Sequence, residues 1–161
     1  MNFKHHFAQE LLKGHELQPW HGPSTKTILA GLTAKEAASH PIEGSHSIWE
    51  IVLHIDAWQR EVIRRFNADF VPEVPEEGDW RTVLDPTESN WQRTLDNLDS
   101  SIQELVRKIN MIQESSMEDQ RGRTAGGSDS LAGMLSGILQ HNAYHSGQIA
   151  LLLRAIEQAR D

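Results

Sequence analysis

The sequence contains no cysteine, which excludes disulfides, thiolate metal sites and cysteine nucleophiles. It also lacks any apolar run near the roughly 20 residues needed to cross a bilayer, so no membrane partner is expected. Its opening stretch, MNFKHHFAQELLKGHELQPW, is polar and has no apolar segment of signal-peptide length. These absences together read as a soluble cytoplasmic protein. Basic residues are in deficit, 15 against 23 acidic, for a net charge of -8. That balance repels phosphate backbones, and no basic stripe offsets it, so no nucleic-acid partner is expected. No phosphate-cradling glycine loop and no Gly-x-Ser-x-Gly nucleophile turn occurs. No strand-like alternation or internal repeat stands out either.

What is present is helical periodicity and imidazole. The 161 residues suit one domain, read here as a single bundle over residues 1–161. Phe7, Leu11 and Leu12 mark a first helix from Phe3 to about Gly14, interrupted by Pro19. Pro23 suits the first turn of a second helix running to about Gly31. Thr33 and Glu36 have capping-box spacing and open a short piece that ends before Pro41. Ser47 and Glu50 repeat that spacing. After them Ile48, Ile51, Ile55, Trp58, Val62 and Phe66 recur every three or four residues, which predicts a helix of about 20 residues. Pro72, Pro75, Gly78 and Pro86 make Asn67–Pro86 a loop. A helix from Thr87 follows, with Trp91, Leu95, Leu98, Ile102, Leu105 and Ile109 as its stripe. Ser115–Ser130, with Gly122, Gly126 and Gly127, reads as a flexible connection. Ser128 or Ser130 caps a last helix to about Gln158, whose inward stripe is Leu131, Met134, Ile138, His141, His145, Gln148 and Leu152. The predicted fold is all-α, a four-helix bundle with an interrupted N-terminal helix.

The chain holds nine histidines and five tryptophans against one tyrosine. His141 and His145 are four apart and share one helix face, where two imidazoles can hold one metal ion. Both fall in an apolar stripe, and burying imidazoles there costs free energy unless their nitrogens find partners. His54, on the flank of its own stripe, supplies a third ligand from a facing helix. Alone it reads first as a core histidine paired with a carbonyl or with Glu50. Three histidines leave a tetrahedral position open, the catalytic rather than the structural arrangement. Imidazole-only sites suit zinc, nickel, copper or iron. Neither a zinc-protease motif nor the paired Glu-x-x-His of di-iron bundles is present.

The runs HSIWEIVLHIDAW (46–58) and HNAYHSGQIALLLRAI (141–156), with WHGPS (20–24), resemble the DinB-like (YfiT-type) superfamily of metal-dependent four-helix-bundle proteins. The resemblance spans about Trp20 to Ile156. It implies His54, His141 and His145 as ligands of a divalent ion, zinc or nickel first, and a homodimer. Some relatives transfer bacillithiol and others are isomerases that use mycothiol. The resemblance therefore implies a small-molecule substrate and a low-molecular-weight thiol as partner. His21, His46 and Glu50 are secondary candidates. His21 lies beside Gly22 near a helix end, and Glu50 lies one turn from His54, where it could orient an imidazole or act as a base. Trp49, Trp58 and Trp91 read as core or pocket lining, and His5, His6, His15 and His40 as surface.

Two functional classes remain open at this point. One is a metal-dependent enzyme, a thiol transferase by resemblance or else a hydrolase. The other is a non-catalytic, metal-binding stress-response bundle, which a fourth protein ligand such as His21 or Glu50 would favour.

Overall fold

The computed structural model describes residues 3–68, 70–124 and 127–160. Helices α1 (Phe3–Glu16), α2 (Thr25–Leu29), α3 (Ala34–Ala37), α4 (Ile48–Arg65), α5 (Glu88–Met111) and α6 (Leu131–Gln158) carry the fold, with a 3-10 turn at Glu114–Ser116. Helix α4 packs against α5 and α6, and α1 packs against the same two. This is an all-α bundle whose N-terminal quarter is broken into α1, α2 and α3. No helix among the described residues is long and apolar enough to cross a membrane.

Local chemistry sets the helix starts. Thr33 and Ser47 each accept from the backbone N–H three residues on, and Glu36 and Glu50 return the bond to the cap residue, so both expected capping boxes form. Thr87 caps α5, and Ser130 caps α6 by accepting from Gly133 N–H. Two expectations shift. Helix α1 continues to Glu16, and α2 begins at Thr25 with Ser24 as its cap, so Pro23 stands before the cap rather than inside the first turn.

The segment expected to be a flexible connection contains an antiparallel hairpin, β1 (Gln120–Thr124) with β2 (Gly127–Ser130), pairing Gln120 with Ser130 and Arg121 with Asp129. Gly126, one of the glycines behind that expectation, lies outside the described residues. The hairpin is tied to the chain just beyond α4 by Gly122 N–H donating to Ala68 C=O at 3.1 Å. Gly122 has φ +55°, and a β-carbon there would sit 2.6 Å from Arg65. Both the backbone angle and the space therefore call for glycine.

The core is divided. Ile48, Trp49, Ile51, Val52, Ile55, Trp91, Leu98, Ile149 and Leu152 belong to one apolar cluster. Val62, Phe66, Ile102, Leu105, Ile109, Leu131, Leu135 and Ile138 belong to a second, with Ala8 and Leu11 of α1. Buried polar residues fall between them in sequence: His54, Asp56, Gln59 and Glu61 on α4, Ser101 on α5, and His145 and Ser146 on α6. Buried polar groups are costly unless paired, so an interrupted core points to function at this level of the bundle.

Candidate metal centre

Helix α6 carries His141 and His145 one turn apart, and α4 brings His54 against them. Each of the three offers a ring nitrogen, and these nitrogens lie within 4.8 Å of one another. His54 Nε2 is 2.9 Å from His141 Nε2. The rings of His54 and His145 are 4.6 Å apart, centre to centre, and those of His141 and His145 are 4.4 Å apart. His54 and His145 are buried and His141 is half-buried.

The opposite ring nitrogens are engaged. His54 Nδ1 lies 2.8 Å from the Asp79 carbonyl oxygen and 3.2 Å from Asp79 Oδ1. A carbonyl only accepts, so Nδ1 carries the proton and Nε2 keeps its lone pair. His145 Nδ1 donates to Gln148 Oε1 at 2.6 Å, and Gln148 Nε2 in turn donates to the Tyr144 hydroxyl at 3.1 Å. His141 Nδ1 faces Asn142 Oδ1 at 3.4 Å. His54 Nε2 and His141 Nε2 face each other across 2.9 Å, the distance of a hydrogen bond through the neutral Nε2–H tautomer of His141, which a shared cation would replace. Burial, reinforced by the neighbouring His145, pushes His141 down to about 4, and burial likewise lowers His145. Neutral imidazoles with converging nitrogens are the donor set a borderline divalent ion takes, so the residues present fit a metal.

The shell around His54 comes mainly from a segment with no periodic signature. Gly78 N–H closes a turn onto Pro75 C=O at 2.9 Å, with Gly78 at φ +92°, and the chain then delivers Asp79 and Trp80. Asp79 Oδ1 also accepts from Trp58 Nε1 at 2.8 Å. Trp58 therefore belongs to this shell, its ring 6.0 Å from that of His141. The Trp80 indole is stacked between His54 at 3.9 Å and His46 at 3.7 Å, nearly parallel to both. Asp79 and Trp80 were missed from sequence. The readable hint was a Pro-x-x-Gly turn directly before a carboxylate and an indole inside a loop.

The secondary candidates are placed differently. Glu50 completes the Ser47 capping box and pairs with His40 at 3.2 Å and His46 at 3.6 Å. Burial pushes its carboxyl up, but the Ser47 N–H and His40 outweigh this and hold it below its ordinary value. Its route to the cluster runs through His46 and Trp80. His21 is exposed and lines a separate cavity with His15 and Trp20. His15, expected at the surface, is buried and bonded to Asp99 Oδ1 at 2.6 Å. It extends the Ala8–Leu11 face of α1 by one further turn. Trp49 and Trp91 are core residues, their indole N–H groups donating to Thr94 Oγ1 and to Leu32 C=O.

Residues 21–149 match the family profile of the DinB superfamily. The chain belongs to the DinB superfamily. No curated protein matches it. A solved structure described as a conserved protein from Enterococcus faecalis superposes on it with a TM-score of 0.68, covering 98% of this chain and 99% of that one at 18% identity. At that identity the likeness extends to the fold alone.

Proposed function

We propose that this DinB-superfamily chain is a metal-dependent enzyme, with His54, His141 and His145 as the ligands of one zinc or nickel ion. The reaction class we favour is transfer of a low-molecular-weight thiol to a small electrophile. The observation that carries the reading is the convergence of three imidazole rings, with the far nitrogens of His54 and His145 already bonded within the fold. A divalent ion held by three uncharged ligands keeps its full charge and favours an anionic fourth ligand, lowering the pKa of a thiol or water there.

The chain's own residues supply position and access. Asp79 and Gln148 fix two of the three ring orientations. A cavity of about 240 Å³ reaches His141 and is walled by Trp58, Val62, Met134 and Ile138. Gly133 and Gly137 of α6 also line it, and nothing lies within 4 Å of the β-carbon position at Gly137. The walls suit a small molecule with an apolar portion. Arg65 also lines this space, 5.8 Å above the Trp58 ring. A homodimer is part of the proposal. Tyr144, Gly147 and Leu151 are exposed along the outer face of α6, where a second copy would cover them. Light scattering at twice 18.2 kDa tests it.

The functional test is calorimetric titration of 2-mercaptoethanol into zinc-loaded and metal-free protein, in buffers of different ionisation enthalpy. The proposal expects zinc-dependent binding with release of a proton. No zinc-dependent binding would remove the transferase reading and leave hydrolysis or a structural ion.

A further inference from the structure

Behind the histidine cluster, α1, α4 and α6 enclose a second cavity of about 330 Å³, to which none of His54, His141 and His145 contributes. Its walls include Leu11, Ile55, Leu98, Leu139 and Ala143, with Gln59 among them. Gln59 is only 1% exposed. Its Oε1 accepts from Ser101 Oγ at 2.7 Å, and among the described residues no hydrogen bond engages its Nε2. Gln59 lines the cavity, so its carboxamide N–H groups are available to an occupant. Three of the neighbouring polar side chains are already paired. Thr25 Oγ1 bonds Ser146 Oγ at 2.7 Å, Ser146 donates to Asn142 C=O at 2.8 Å, and His15 holds Asp99 at 2.6 Å. At the rim stand Trp20, whose side chain is fully exposed, and His21. These belong to the WHGPS run that the metal centre does not use.

An unpaired, fully buried amide donor is costly unless something accepts from it. One water would satisfy it, yet the cavity is about ten times a water's share of liquid volume. It lies within the size range of small-molecule sites. Glu10 and His15 line the cavity but are already paired with Lys13 and Asp99, so neither is left to hold a charged ligand beside Gln59. We propose that this cavity binds an uncharged small molecule whose carbonyl oxygen accepts from the Gln59 amide, whose apolar body packs on Leu11, Ile55, Leu98 and Leu139, and over which the Trp20 indole lies at the mouth.

The test uses acetanilide as a neutral carbonyl probe and ethylbenzene as the matching apolar body without an acceptor. Both are titrated into zinc-loaded, ¹⁵N-labelled full-length protein. The Gln59 side-chain NH₂ resonances, assigned by their loss in Gln59→Leu, should shift saturably with acetanilide, which should bind at least tenfold more tightly than ethylbenzene. Gln59→Leu should abolish that preference. Ala143→Leu, which fills the cavity from α6 while leaving Gln59 in place, should weaken acetanilide at least tenfold. Gln59 resonances unmoved by acetanilide, or affinity unchanged in Ala143→Leu, would overturn the proposal.

Discussion

Asp79 provides a graded test of how the metal centre is built. It reaches His54 twice, through its backbone carbonyl at 2.8 Å and its carboxylate at 3.2 Å, and the same carboxylate oxygen accepts from Trp58 Nε1 at 2.8 Å. Asp79→Ala removes the carboxylate and leaves the carbonyl. The tautomer of His54 is thus still set, but the ring loses the nearby carboxylate and Trp58 loses its acceptor. Losing a partner behind a ligating histidine lowers metal affinity by about 10–100-fold. Because the carbonyl remains, the expected loss is near the lower end, about tenfold or about 1.4 kcal/mol. Competition against a chromophoric zinc chelator at pH 7.5 measures it directly. Zinc affinity unchanged within about twofold would show that the carboxylate does not support His54. A loss as large as that of a missing ligand would show that Asp79 acts on the metal itself. Either result would refute the second-layer assignment.

Replacing His145 with alanine should strip most bound metal, whereas His40→Ala should not, because His40 is exposed and pairs with Glu50; elemental analysis of both purified variants decides it. Gly137→Phe should leave zinc content intact but weaken 2-mercaptoethanol binding at least tenfold, since the new ring occupies the cavity that reaches His141; retained thiol affinity in calorimetry would mean that the approach lies elsewhere. In metal-free protein, His141 titrates at about 4 when folded against 6.5 as its ordinary value. The unfolded chain therefore binds more protons between those values, and stability is lost as pH falls from about 6.5 towards 4. The full displacement is worth about 3 kcal/mol, reduced by the partial exposure of the ring to about 2 kcal/mol. The lowered His145 acts in the same direction, and urea melts across that range should show the decline, whereas a flat or rising profile would contradict it.

Much of this architecture is legible in the sequence because it rests on local rules. The Thr33–Glu36 and Ser47–Glu50 pairs announce two helix starts, and both boxes form. The three- and four-residue spacing of Ile48 through Val62 gives α4 its buried face. The His141–His145 interval puts two imidazoles on one turn, and their place in an apolar stripe marks them as facing inward. What the sequence does not reveal depends on nonlocal contact. Asp79 and Trp80 sit in a stretch without periodicity, and only the folded chain shows that the Pro75–Gly78 turn aims them at His54. The hairpin at 120–130 has no alternation of apolar and polar residues; its position depends on Gly122 against Arg65 and Ala68. His15 had a usable signal, four residues beyond Leu11. Its partner Asp99, which makes the burial tolerable, comes from a distant helix.

The central claim is that His54, His141 and His145 jointly hold one divalent ion. Anomalous diffraction at the zinc edge, from crystals of untagged protein loaded with zinc, tests it most directly. The account predicts one ion per chain, bonded to a nitrogen of each of the three rings at about 2.0–2.1 Å. An ion bound elsewhere, or a clean histidine cluster with no anomalous peak at saturating zinc, would contradict it.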